Sequence, residues 1–179
     1  MPKALRPLGG IPMLVHAVRA LAASRIVDIV VVAAPEDSAE MVAAMLAEQS
    51  FQAEVVVVTG GDTRQDSVAR ALLTLPDDVD VVLVHDAARP LVPVEVVTAV
   101  AAAVRAGNDA VVPGLPVVDT IKRVDASSDV ECTVDRAPLR AIQTPQGFRR
   151  QVLQHAHASA DPGDGSATDD AGLVERLGL

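Results

Sequence analysis

The sequence has 179 residues, half of them apolar, with a formal net charge of −9 and two Phe as its only aromatic residues. That length suffices for one domain with its own core, here necessarily a core of Val, Leu, Ile and Ala. The acid excess and the lack of stacking rings weigh against nucleic acid as a partner, whereas a small phosphorylated ligand needs only a local cationic cluster. Lys3 and Lys122 are the only lysines, and the remaining cations are Arg, which suits bidentate phosphate recognition. Cys132 stands alone, so no internal disulfide forms and a reducing compartment is expected. No apolar run approaches the ~20 residues of a membrane span, and residues 1–3 open no signal-peptide pattern. The expectation is a cytoplasmic protein without membrane contact.

In chain order, residues 11–23 have a helical apolar period, with Pro12 suited to a first turn. Residues 29–33 form a Val-rich strand, 38–48 a helix with Met41, Val42, Met45 and Leu46 on one face, and 54–58 a strand ended by Gly60-Gly61. A helix runs from near Arg64 to Leu75. The run 79–84 is almost unbroken apolar and reads as a strand buried on both faces, as in parallel sheets. A helix over 94–105 and a strand over 110–113 follow. This alternation predicts an α/β protein with a Rossmann-like, doubly wound, mostly parallel sheet.

The pattern then changes. Residues 117–124 and 130–134 read as two strands joined by the polar turn 125–129, a hairpin arm inside a single domain. A short strand at 142–144, a helix over 149–157, a Gly/Asp/Ser loop over 160–167 and a last helix over 168–177 complete the chain.

Chemistry concentrates at three places. His85, Asp86 and Arg89 follow the strand 79–84, at the carboxyl edge where open α/β sheets bind ligands; an Asp capping its loop and pairing with the Arg is the plainer reading. Gly60-Gly61-Asp62 through Ser67 links strand to helix, where backbone N–H groups favour anions or carbonyl oxygens; Asp62 is also a plausible N-cap. Residues 143–148 read as the end of a strand and the start of a helix, with Thr144 a candidate phosphate donor and Pro145 and Gly147 as turn residues. Thr168-Asp169-Asp170-Ala171 reads as helix capping. His155 and His157 are two apart and off one helical face, a poor metal pair. No Ser-His-Asp order and no Cys/His metal spacing stands out.

Seven segments occur in a familiar order: Pro2-Lys3-Ala4, Gly60-Gly61-Asp62-x-Arg64-x-Asp66-Ser67-Val68, Val84-His85-Asp86-Ala87-Ala88-Arg89-Pro90, Asp119-Thr120-Ile121-Lys122, Thr133-Val134-Asp135-Arg136, Gln143-Thr144-Pro145-Gln146-Gly147-Phe148 and Thr168-Asp169-Asp170-Ala171. Together they resemble the 2-C-methyl-D-erythritol 4-phosphate cytidylyltransferase family of the non-mevalonate isoprenoid pathway, over all 179 residues. The resemblance implies transfer of CMP from CTP to methylerythritol phosphate, release of pyrophosphate, a magnesium ion bound mainly through the CTP phosphates, and a homodimer joined through the arm at 115–136. It assigns Lys3 and Arg136 to catalysis, and Gly60, Gly61, Asp62, Ser67, Asp86 and Ala87 to the nucleotide. Asp86, Arg89, Thr120, Arg136 and Thr144 fall to the second substrate, Thr120 and Arg136 reaching it from the partner subunit. It also implies that the family's first strand with its Gly-rich loop, and its closing strand and helix, are missing from this sequence. Two neighbouring readings are a ribitol 5-phosphate cytidylyltransferase and a non-catalytic, dimeric nucleotide-binding module. Ala87-Ala88 and Thr133-Val134-Asp135-Arg136 lean towards methylerythritol.

Overall fold

A computed structural model of the chain describes residues 2–160 and 167–179; most of the loop expected over 160–167 lies outside the described residues. After a short turn of helix at Lys3–Leu5, the elements are β1 (Pro7–Leu8), β2 (Ile11–Pro12), α1 (Met13–Ala22), β3 (Ile29–Ala34), a second short turn at Glu36–Ser38, α2 (Ala39–Ala47), β4 (Glu54–Thr59) and α3 (Arg64–Leu72). Then come β5 (Val81–Val84), α4 (Val94–Arg105), β6 (Ala110–Val111), β7 (Gly114–Pro116), β8 (Ile121–Val124), β9 (Val130–Val134), β10 (Arg140–Ile142), β11 (Gln146–Arg149), α5 (Arg150–Ser159) and α6 (Asp170–Glu175).

The α/β alternation predicted for 29–105 is present, element for element. Strands β3 and β4 pair in parallel from Ile29↔Glu54 to Ala34↔Thr59. A second ladder has the order β5-β11-β6, with β11 antiparallel to both neighbours, so β5 and β6 run the same way. The sheets are therefore mixed.

Helices cover two faces. On β11, Phe148 joins the cluster of Leu72, Leu153, Ala156, Leu173 and Val174, with Val82 and Val84 of β5 packed against it. The adjacent Gly147 looks the other way: a Cβ there would sit 2.5 Å from Val100 Cγ1 and 3.0 Å from Val104 Cγ2 of α4. Because neighbouring strand residues point to opposite faces, α3, α5 and α6 lie on one side and α4 on the other. Helix α4 also contacts α1. A second cluster joins Leu14, Val15 and Val18 of α1 to Val42 and Leu46 of α2 and to Ala34 of β3.

Three expectations are corrected. Residues 143–148 do not lead from a strand into a helix; Gln146–Arg149 is the middle strand of its ladder. Pro145 and Gly147 are buried, and Gly147 is small because α4 crosses there, not because the chain turns. Pro12 lies one residue before α1 as its N-cap, while Ile11–Pro12 pairs with Pro7–Leu8 around Gly9 and Gly10, both at positive φ. Strand β5 is half-buried throughout and not fully buried: one face meets the Phe148 cluster and the other α4, but among the described residues it has one ladder neighbour.

The arm follows the break in the pattern. Its base is the pair β7–β10, and its tip is the β8–β9 hairpin, with a bulge between Arg123 and Val124. The turn closes as its polar residues predict: Asp125 Oδ1 accepts from Ser127 N at 2.8 Å and Asp129 N at 3.0 Å, and Ser128 takes φ 69°. The first arm strand is shorter than expected, beginning at Ile121 and not at 117.

Candidate functional site

The β4–α3 corner is held by its own side chains. Thr63 caps α3: its Oγ1 accepts from Asp66 N at 3.0 Å, and Asp66 Oδ2 accepts from Thr63 N at 3.3 Å. The cap is thus Thr63 and not Asp62, which is exposed beside it. This reciprocal box satisfies two helix-end donors. Ser67 fastens the preceding loop, its Oγ accepting from Gly61 N at 3.0 Å and donating to Thr63 O at 2.9 Å. Glycine is needed here for close approach. A Cβ on Gly61 would lie 2.2 Å from Asp66 Cβ, and one on Gly60 2.8 Å from Ser67 Oγ.

The end of β5 meets the β10–β11 junction. Asp86 N donates to Thr144 Oγ1 at 3.2 Å. Thr144 Oγ1 is 2.9 Å from His85 Nδ1, and His85 Nε2 is 3.0 Å from the Arg89 carbonyl. A carbonyl only accepts, so Nε2 carries the proton and Nδ1 accepts from Thr144. Burial pushes the His85 pKa down, against the upward pull of the Arg89 carbonyl and the Asp86 charge. The imidazole therefore serves as a neutral brace that satisfies both ring nitrogens.

Asp86 lies between two arginines. Arg89 Nε is 3.0 Å from Asp86 Oδ2, and Arg64 Nε of α3 is 3.8 Å from Asp86 Oδ1. Arg89 also donates from Nη1 to Gln143 Oε1. Arg64 stands at the start of α3 and so joins the Gly60–Ser67 corner to the edge of β5, as expected of a common site. Asp86 is 39% exposed in its side chain, which leaves the carboxylate open to a ligand while two cations hold it.

The remaining residues lie farther out. Ala87 packs against the cluster of Leu14, Val15 and Val18, as do Ala4 and Leu5, which brings the turn bearing exposed Lys3 onto the same cluster as the β5 edge. Thr120 is exposed on the arm. Arg136, also exposed, donates from Nη1 to the Val118 carbonyl at the arm base. One chain therefore gathers Gly60, Gly61, Asp62, Ser67, Asp86, Arg89 and Thr144, and carries Thr120 and Arg136 away on the arm.

Sequence reasoning assigned no role to Arg64 or Gln143 and read Asp170 as a helix cap. Arg64 and Gln143 stood inside quoted motifs, but only the fold shows that each meets the Asp86–Arg89 pair. Of the two adjacent acids read as caps, Asp169 does cap α6, accepting from Gly172 N at 2.9 Å, whereas Asp170 is buried against Arg64. Nothing in the spacing distinguishes them. Among the described residues, no group of three or more His, Cys, Asp or Glu could hold a metal ion. With Asp86 already flanked by arginines, the donor set does not fit a protein-built metal cage.

The family model for 2-C-methyl-D-erythritol 4-phosphate cytidylyltransferase matches residues 1–179. A 2-C-methyl-D-erythritol 4-phosphate cytidylyltransferase of Streptomyces coelicolor is 53% identical over 186 residues, covering 99% of this chain and 68% of its own length. One from Frankia casuarinae is 56% identical over 178 residues, covering 99% of this chain and 64% of its own. The chain thus spans about two thirds of the length of these relatives. The crystal structure of the enzyme of that name from Thermus thermophilus superposes with a TM-score of 0.78 at 39% identity, over 99% of this chain and 80% of that one. The 4-diphosphocytidyl-2C-methyl-D-erythritol synthase of Anaerococcus prevotii, at 24% identity, shares the fold with a TM-score of 0.87 over 98% and 78%. With the corner, the β5 edge and the arm in place, the chain belongs to the 2-C-methyl-D-erythritol 4-phosphate cytidylyltransferase family.

Proposed function

We propose that this protein transfers CMP from CTP to 2-C-methyl-D-erythritol 4-phosphate, releasing pyrophosphate. The observation that carries the reading is the junction of the Gly60–Ser67 corner with Asp86, Arg89 and Thr144, in a chain that matches the family from residue 1 to 179. A phosphate oxygen of the acceptor attacks the α-phosphorus of CTP; the bond from that phosphorus to the bridging oxygen breaks, and pyrophosphate leaves. The nucleophile is already ionised at neutral pH, so no general base is required, and the task is in-line positioning and neutralisation of two anions.

CTP enters as its magnesium complex, since Mg²⁺ favours phosphate oxygens and water. The corner takes the cytosine end of the nucleotide, with Asp62, Gly60, Gly61, Ser67 and Ala87 about it. Lys3 offsets charge developing at the α-phosphate. Asp86, Arg89 and Thr144 line the space shared by the two substrates. Thr120 and Arg136 reach the acceptor phosphate of the opposite subunit. Their exposure on the arm supports that reading, as does the apolar surface of the arm. The reaction belongs to the cytoplasm, consistent with the single exposed Cys132; no helix among the described residues is long and apolar enough to cross a membrane.

The test is pyrophosphate release with CTP, Mg²⁺ and either methylerythritol phosphate or ribitol 5-phosphate. Release with the former alone is expected. Release only with ribitol 5-phosphate, or CTP binding without turnover, overturns the assignment. Mixing Arg136→Ala with Lys3→Ala subunits is expected to restore part of the activity, since one site of each heterodimer keeps both native residues; no recovery after re-equilibration places Arg136 in its own subunit's site.

A further inference from the structure

Behind Arg64 of the nucleotide corner lies a buried ionic pair, Asp170 and His157, to which no substrate role is assigned. Asp170, the first residue of α6, is 1% exposed. Its Oδ2 accepts from Arg64 Nη1 at 2.6 Å and its Oδ1 from His157 Nε2 at 2.9 Å. The N-terminus of α6 is already capped by Asp169, which also accepts from Gln146 Nε2 at 2.6 Å. A helix cap therefore does not account for the second acid. Burying a carboxylate is costly unless it is paired, so its partners indicate what it does.

Arg64 faces both ways. One nitrogen, Nη1, is tied to buried Asp170, and another, Nε, lies 3.8 Å from Asp86. Behind Asp170, the His157 side chain is buried and, among the described residues, its Nδ1 has no hydrogen-bond partner, so the Asp170 carboxylate orients the ring. The four groups form a line from α5 through α6 and α3 to the edge of β5. Arg89, the other cation on Asp86, is anchored in the same manner by Gln143. Burial pushes the Asp170 carboxyl up, but the hydrogen bond from His157 and the charge of Arg64 outweigh it and hold it below the usual carboxylate range. It is anionic wherever the protein is folded near neutrality.

We propose that Asp170 and His157 are positioning residues: they hold the Arg64 guanidinium in the one orientation that leaves Asp86 in place at the nucleotide corner. This rests on the reading of that corner as the CTP site. Without Asp170, the partly exposed Arg64 keeps Asp86 as its one anion among the described residues, and the pair closes over the space that the nucleotide needs.

The experiment is a double-mutant cycle read by calorimetric titration with CTP and Mg²⁺. Asp170→Asn and Arg64→Gln are each expected to weaken CTP about tenfold, the usual scale for one charge-assisted hydrogen bond, and the double variant to bind no worse than Arg64→Gln. His157→Gln keeps a donor towards Asp170 and is expected to stay close to wild type, while His157→Leu is expected to behave like Asp170→Asn. Full multiplication of the two effects, or unchanged CTP affinity in Asp170→Asn, overturns the proposal. The exchange rate of the Arg64 Nη1–H that Asp170 accepts gives a ligand-free reading. Slow exchange is expected in the wild type and solvent-like exchange in His157→Leu and Asp170→Asn. Solvent-like exchange in the wild type overturns the proposal even if Asp170→Asn fails to fold. A wild-type chain with slow Arg64 exchange that binds no CTP overturns the nucleotide reading and leaves the Asp170–Arg64 clamp standing.

Discussion

Where Gly61 meets Ser67 and Asp86 meets Thr144, half-buried polar groups are bonded to one another within one chain. On the arm the reverse holds: Val118 is 77% exposed and Val130 62%, and Leu115, Val124 and Ile142 are exposed with them. The corner is complete as folded, because each glycine, cap and brace is fixed by a neighbour already present. The arm leaves apolar area in water that nothing among the described residues covers, and a hairpin of two strands is marginal by itself. One region is specified by internal satisfaction, the other by what it still lacks. The difference supports the proposal of ligand recognition on a preformed surface and association on a protruding one.

The sharpest way to break the comparison is to charge the arm. Val118→Glu with Val130→Glu is expected to weaken self-association about a hundredfold, or ~2.7 kcal/mol, in sedimentation at tens of micromolar. Both sites are exposed in the single chain, so its unfolding free energy is expected to move by no more than about 0.5 kcal/mol. A large loss of intrinsic stability would mean that the arm is packed by its own domain.

The corner should respond in the opposite sense. Gly61→Ala pushes a Cβ against Asp66 Cβ and the Asp66 backbone carbon, 2.2 Å and 3.0 Å away. Overpacking of this kind costs about 1–3 kcal/mol, and urea denaturation is expected to show it together with loss of CTP binding and unchanged self-association. Next in size is Thr63→Ala, which removes the reciprocal bonds with Asp66. About 1 kcal/mol of stability is expected to go, with CTP affinity falling because Arg64 starts the helix that the box fixes. Equal stability of Thr63→Ala and wild type would show that the helix start is held by Ser67 alone.

The same contrast explains what was legible in the sequence. Helices α1 to α4 and strands β3 to β5 announce themselves by period, since each buries one face or runs apolar throughout. The arm announces itself by breaking that period. Strand β11 does not, because Gln146 and Gly147 are buried for reasons that only tertiary contacts supply: Gln146 bonds Asp169 and Ala171 N, and Gly147 gives room to Val100. Likewise Asp62 is the cap expected from sequence, and the choice of Thr63 depends on Asp66 lying three residues on. Asp169 and Asp170 are chemically alike and adjacent; burial alone assigns one to the helix end and the other to Arg64. The motifs show where chemistry gathers, while long-range pairs such as Arg64–Asp170 and Arg89–Gln143 decide how it is held.

The smallest expected effect is a slope. His85 is a neutral brace between Thr144 Oγ1 and the Arg89 carbonyl, and burial depresses its pKa from 6.5. The unfolded chain therefore takes up the proton at a higher pH than the folded one. The stabilisation from the neutral ring is complete above about pH 6.5 and declines as the pH falls below it towards the folded value. Asp170, held below the usual carboxylate range, contributes stability that is present above about pH 4 and is lost only as the pH falls further, so the two are separable. Urea unfolding at pH 7.5 and 5.5 is expected to give a lower free energy at the acid value for the wild type, and the same loss for the Val118→Glu, Val130→Glu arm variant. His85→Gln, which has no proton to take up, is expected to show a flatter profile over that interval. An unchanged slope in His85→Gln would assign the pH dependence to other groups and remove the neutral imidazole from the account of the corner.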